Sequence, residues 1–189
     1  MRVAPAYTRH MPAAPMTAEE LEHVSIPGKL TELVRGVLVV HEPPGFRHGE
    51  VVVRIGAELL RHVQAHDLGT VVAGDTGFIL ARGPDTVRGP DVAFVRRERL
   101  PDPAPLGFAE LAPDLAVEVL SPGSRPGETL ARIADLLTAG CALVWVIDPL
   151  RRVARVHRAD GSESTVTPEG TLEGEDVIPG FGCPLKSIL

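Results

Sequence analysis

Three carboxylates fall within stretches that otherwise read as strands: Glu32 in LTELVRGVLVV, Asp91 opening DVAFVRR, and Glu118 inside PDLAVEVLSPGSR. Glu118 is the sharpest case. Leu115, Ala116, Val117, Val119 and Leu120 suit a sheet interior, and a charge among them is costly unless something pairs with it. If the strands bearing Asp91 and Glu118 are neighbours, both side chains converge on one point. Carboxylates gathered there repel, and their pKa values rise unless a cation neutralises them. Oxygen-only ligands favour Mg2+ or Mn2+. Such an ion polarises a phosphoryl oxygen and generates hydroxide near neutral pH. A plainer reading stands beside this one: an acid at a strand start caps a turn, and an acid in mid-strand faces water.

The elements that must position these residues follow from periodicity and turn chemistry. Residues 1–16 are rich in Pro and Ala and read as a loose arm. Thr17 and Glu20 have capping-box spacing and open a short helix to about Val24. Arg35-Gly36 is a hairpin signal between two short strands. From about Arg47, Val51, Ile55, Leu59 and Val63 recur at helical spacing, and Gly69 supplies a stop. Two short strands flank Asp75–Gly77, and RGPDTVRGP, residues 82–90, reads as turn chemistry. The Glu118 strand leads through Ser121-Pro122-Gly123 to a helix that starts at Pro126 and ends at Gly140. CALVWVID then reads as a buried strand and RRVARVHRA as an alternating one. A helix joining two apolar strands is a crossover, so the chain reads as one α/β or α+β domain around a mixed sheet, spanning 17–189.

Composition narrows the class. With 189 residues the chain has room for one domain with a real core. Only two cysteines occur, Cys141 and Cys183, without metal-knuckle spacing, which suits a reducing interior. No apolar run has signal-peptide or membrane-spanning length, so the expected location is cytoplasmic. The net charge of −6 argues against a dedicated nucleic-acid-binding module but not against a nuclease with an acidic site. Glu58, His62 and His66 have zinc-like spacing, yet no further strong ligand lies near, and the wet face of an amphipathic helix explains them as well. Ser121 has no His/Asp partner placed to make it a nucleophile. Trp145 reads as core. No glycine-rich phosphate loop points to a nucleotide cofactor.

The ordered set TELVRGVLVV, RHGEVVVRIGAELLRHV, RGPDVAFVRRERLP, PDLAVEVLSPGSR, TAGCALVWVIDPLRRVARVHR and VIPGFGCPL resembles the Uma family, classed as endonucleases within the PD-(D/E)xK, restriction-endonuclease-like superfamily. The resemblance runs over nearly the whole chain after about residue 16. It implies a central mixed sheet flanked by helices, a divalent-metal site and DNA as substrate. Asp91 would be the principal metal ligand, Glu118 the second and the carbonyl of Val119 a third. Glu32, in the family's E-L-x-x-G segment, would complete the acidic cluster. His48 recurs in the family pattern and would orient substrate or the acids.

The chain departs from the pattern at one place. The superfamily lysine would stand two residues after the second acid, where Leu120 lies, and in the family it comes from the following helix, at the position of Arg132. Arg for Lys is not conservative in a catalytic centre, because arginine stays charged and brings a planar fork. Arg132 could stabilise charge on a phosphate but could not act as a base. Either Arg132 substitutes for the lysine, or activity is reduced or lost. Arg132 also lies four residues after Glu128, the spacing of a surface ion pair. On a helical wheel Leu130, Ile133, Ala134 and Leu137 make the core face, opposite Glu128, Arg132 and Asp135. Two functions are therefore expected: a Mg2+- or Mn2+-dependent DNA endonuclease, or a catalytically silent nuclease fold that binds DNA or pairs with itself. An exposed strand edge would allow a homodimer.

Overall fold

A computed structural model describes residues 14–189, so most of the expected N-terminal arm lies outside the described residues. Its last residue is tied down: the Met16 N–H donates to the Gly36 carbonyl at 2.9 Å. Helix α1 (Ala18–Glu22) opens with the expected capping box, Thr17 and Glu20 each satisfying the other's backbone N–H. Strands β1 (Leu30–Val34) and β2 (Val37–His41) form a two-residue hairpin in which Arg35 and Gly36 both take positive φ, +49° and +75°. That is the primed turn whose twist matches paired strands.

The long helix α2 (Phe46–His66) follows the predicted stripe, and Val51, Ile55, Leu59 and Val63 are fully buried. Each contributes about 1.5–3 kcal/mol through its removal from water. The helix stops at Asp67 in the left-handed conformation. It packs on a six-stranded sheet built from β3 (Gly69–Ala73), β6 (Val92–Arg96), β7 (Leu115–Val119), β8 (Leu143–Asp148), β9 (Val153–Arg158) and β10 (Glu163–Val166), in the order β10-β9-β8-β7-β6-β3. β7 and β8 alone run parallel, joined through α3 (Pro126–Thr138) as the expected crossover. Alternation sorts β7 into two faces. Leu115, Val117 and Val119 join the α2 core with Phe94, Trp145 and Ile147, while Ala116 joins Ile133 and Leu136 of α3. By the same alternation Glu118 belongs to the α3 face. The C-terminal segment, with the ribbon β11 (Thr171–Glu173) and β12 (Gly182–Pro184), closes the α2 face through Leu172, Ile178 and Leu185.

Two expectations need correction. Residues 82–90 are not all turn: β5 (Thr86–Arg88) lies within them and is buried. With β4 (Phe78–Ala81) it completes a second, four-stranded antiparallel sheet, β2-β1-β5-β4. The chain leaves that sheet at Gly89-Pro90, where proline has no N–H to continue a ladder. Helix α3 is also turned relative to the predicted wheel. Leu136 is buried, while Leu130 and Ala134 are exposed, which swings Arg132 and Asp135 inward. No helix among the described residues is long and apolar enough to cross a membrane.

Candidate active site

Strand pairing brings the two acids of the sequence reading together. Val92 stands opposite Val117, and Ala93 opposite Ala116. Continuing that antiparallel register by one residue sets Asp91 across from Glu118, on the α3 face, where cross-strand neighbours interact directly. Asp91 is fixed from two sides. Its Oδ2 accepts the Val119 N–H at 2.6 Å, and its Oδ1 lies 3.1 Å from His48 Nε2. His48 enters from the first turn of α2. Burial works against its charged form, but the hydrogen bond and charge of Asp91 prevail and raise its pKa. The Nδ1 of His48 is buried without a hydrogen-bond partner among the described residues. Val119 thus contributes its backbone at the strand end.

Glu32, from β1, has a different environment. Its Oε1 accepts from the Gly89 N–H and Arg132 Nη1, both at 2.7 Å. Its Oε2 accepts from Arg132 Nη2 at 2.7 Å and Arg88 Nη1 at 3.0 Å, and lies 3.0 Å from His41 Nε2. Arg88 is held in turn by Asp135 Oδ2, at 3.0 Å from Nε and 2.6 Å from Nη2. Burial alone would raise the Glu32 pKa, but His41, the two guanidiniums and the Gly89 N–H lower it to about 2. Glu118 receives much less. Among the described residues its one charged donor is Arg132 Nη1 at 3.4 Å. Burial pushes its carboxyl up to about 8, and Asp91 and Glu32 add repulsion against the pull of Arg132. Burial disfavours charge on Arg132 too, but Glu118 and Glu32 more than offset that and hold it charged.

These residues line a cleft of about 1780 Å3 between the two sheets, walled by aliphatic side chains such as Leu30, Val39 and Leu120. Asp75, at φ +57° in the β3–β4 connection, adds a further acid to the lining. Burial and then the charges of Asp91 and Glu32 raise its pKa.

The expected surface pair between Glu128 and Arg132 does not form. Glu128 pairs with Arg125 at 2.9 Å, and Arg132 reaches across to Glu32. Of the expected site residues, Asp91, Glu118, Val119, Arg132, Glu32 and His48 all meet at this cleft. Arg88, His41 and Asp75 join them there, and Asp135 braces Arg88 from outside the lining. The zinc-like trio does not line the cleft: Glu58 pairs with Arg61, His62 contacts the Pro179 carbonyl at 3.0 Å, and His66 stacks on the His62 ring and contacts the His62 carbonyl at 2.9 Å. Ser121 sits in a turn closed by Ser124, and Trp145 is core.

Among the described residues no group of three or more His, Cys, Asp or Glu side chains is arranged to hold a metal ion. Mg2+, however, is commonly held by one or two carboxylates, keeping several waters and taking oxygens from substrate phosphate. Asp91 and Glu118 supply that number of carboxylates, and the weakly compensated carboxyl of Glu118 suits a cation.

A family model, Uma2, described as "Putative restriction endonuclease", matches residues 18–186. The crystal structure of "a putative nuclease belonging to DUF820" from Anabaena variabilis superposes on the chain with a TM-score of 0.80 at 17% sequence identity, covering 92% of this chain and 97% of its own. That likeness is one of fold. No curated protein matches the sequence.

Proposed function

The chain belongs to the Uma2 family, and from that premise we propose that it is a divalent-cation-dependent nuclease that hydrolyses DNA phosphodiester bonds. The observation that carries the reading is the register that sets Asp91 opposite Glu118 at adjoining strand ends, both lining the cleft. Two acids so placed, one of them short of counter-charge, are a poor arrangement for stability and a good one for binding Mg2+ or Mn2+. When bound, the cation supplies Lewis-acid activation of the phosphoryl oxygen and of a water.

The protein's own groups do the rest. Asp91 and Glu118, with the backbone of Val119, hold the cation. The Val119 N–H and His48 fix the Asp91 carboxylate so that its orientation costs nothing at the moment of binding. Arg132 donates hydrogen bonds to the scissile phosphate and stabilises charge there as it develops. Arginine keeps its proton, so the proton of the attacking water leaves through solvent or the phosphate rather than through residue 132. One observation favours the silent-fold alternative, namely the arginine itself, which stands where the family carries a lysine.

Plasmid nicking decides between them. Supercoiled DNA is incubated with the protein in EDTA, Mg2+ and Mn2+, beside Asp91→Ala. Cleavage that needs both the cation and Asp91 is the expected result. Cleavage that persists in Asp91→Ala would overturn the assignment, and Mn2+ binding by calorimetry without cleavage would favour the silent fold.

A further inference from the structure

Glu32 and Arg132 meet end to end, each Nη of the arginine 2.7 Å from its own carboxylate oxygen. This fork-on-fork geometry is the most directional ion pair available to protein side chains. It uses one hydrogen from each Nη. The second Nη1 hydrogen is left to the Gly89 carbonyl at 3.3 Å and Glu118 Oε1 at 3.4 Å. A guanidinium has five N–H donors. The Nε–H and the second Nη2 hydrogen therefore remain, side by side on the other edge, with no acceptor among the described residues. Arg132 lines the cleft.

Glu32 is saturated. Gly89 N, both Nη atoms of Arg132, Arg88 Nη1 and His41 Nε2 all approach its two oxygens. Five partners exceed the roughly four lone-pair positions of a carboxylate. No position is left for a cation, which separates Glu32 from Asp91 and Glu118. Arg88 is itself braced by Asp135, so the carboxylate is locked before Arg132 docks on it.

We infer that Glu32 is a positioning residue, not a metal ligand: it clamps one edge of Arg132 so that the free Nε–Nη2 edge presents two parallel donors to the non-bridging oxygens of a phosphodiester. The inference takes its ligand class from the nuclease reading. It also explains why arginine serves here. A lysine at 132 offers one point charge and cannot occupy Glu32 and a phosphate with matched forks.

The test is arginine Nε–Hε NMR in EDTA with the dinucleotide thymidylyl-thymidine as probe, which needs neither a metal nor turnover. In the wild type the Arg132 Nε–Hε signal moves on titration. In Glu32→Gln the amide breaks the fork, and probe affinity falls at least about tenfold, while Glu32→Asp, which keeps the carboxylate, recovers part of it. The Arg99 and Arg158 signals report whether the fold persists. If Glu32→Gln does not fold, Arg132→Lys decides, with the same loss of affinity expected and read from the 31P signal of the probe. Wild-type affinity in either folded variant overturns the inference.

Nicking adds a double-mutant cycle. Glu32→Gln lowers the rate about 100-fold in the native background but less than about threefold when Arg132→Gln is already present. Additive losses overturn the inference. A moving Arg132 signal without cation-dependent nicking would sink the nuclease reading and leave the clamp standing. Nicking that needs Asp91, with an unmoved Arg132 signal, would do the reverse.

Discussion

Glu32 and Glu118 are both buried, 5% and 8% exposed, and both face Arg132. They nevertheless end at opposite ionisation extremes, about 2 and about 8. Five donor atoms converge on the glutamate of the four-stranded sheet, two of them from Arg132 of α3, whereas among the described residues the glutamate of the six-stranded sheet has one partial partner, again Arg132, and an acid opposite. Burial is common to both, so the number and sign of neighbours decide the outcome. On the proposed reading, a site that pairs one carboxylate completely and leaves the next one short concentrates its affinity for an added cation at the second.

The largest expected effect comes from removing the acid opposite Glu118. Asp91→Ala should lower cation-dependent nicking by about three orders of magnitude, with the melting transition retained. Asp91→Asn sharpens the contrast further, because it removes the like charge, and the Glu118 carboxyl, followed by 13C NMR, should then titrate at lower pH. Stability gives the next effect. Glu32→Gln breaks a buried ion pair and should cost roughly 3–5 kcal/mol in urea unfolding. Glu118→Gln replaces a carboxyl that already favours its neutral form and should change stability by less than about 1 kcal/mol. Equal losses in the two variants would erase the contrast.

The pH dependence in EDTA separates the two glutamates by sign. The folded pKa of Glu118 lies above an unfolded value of about 4.3. Its contribution is therefore complete below that value and is lost as pH rises through about 8. The folded pKa of Glu32 is depressed, so its contribution is present above about 4.3 and lost as pH falls through about 2. The urea midpoint should decline between about pH 4.5 and 8 through Glu118, and Glu118→Gln should flatten that limb while leaving the acid limb in place. The smallest effect belongs to Glu128, outside the contrast altogether. Its exposed pair with Arg125 makes Glu128→Ala worth no more than about 0.5 kcal/mol.

Much of this was legible in the chain. The α2 stripe, the β7–α3–β8 crossover and the Arg35-Gly36 hairpin follow from local periodicity and turn chemistry, and their residues behave accordingly. Asp91 and Glu118 were legible because an acid inside an apolar strand needs a reason. Arg88 was not. It ends a three-residue strand enclosed by glycines and prolines, which pairs with the short β4 and reaches β1 through a single Leu33–Val87 match. Nothing local distinguishes such a strand from a turn. Arg132 was legible as a residue but not by its partner: Glu128 lies four positions away, Glu32 a hundred. The wheel placed the α3 core face on Leu130, Ile133, Ala134 and Leu137; contact with the sheet keeps Ile133 and part of Leu137, adds Leu136 and leaves Leu130 and Ala134 outside. Local spacing fixes an amphipathic helix, and tertiary packing fixes its rotation.

The segment from Arg88 to Asp91 carries a last consequence. Arg88 closes the four-stranded sheet, Asp91 adjoins the first residue of β6, and only Gly89 and Pro90 separate them. Both are buried, and a Cβ on residue 89 would come within 2.7 Å of the Asp75 carbonyl oxygen. This dipeptide is the gauge block of the cleft. It sets the calibre between the arginine wall and the acid pair, so a one-residue insertion there would mis-size the aperture while leaving every charged side chain in the sequence intact.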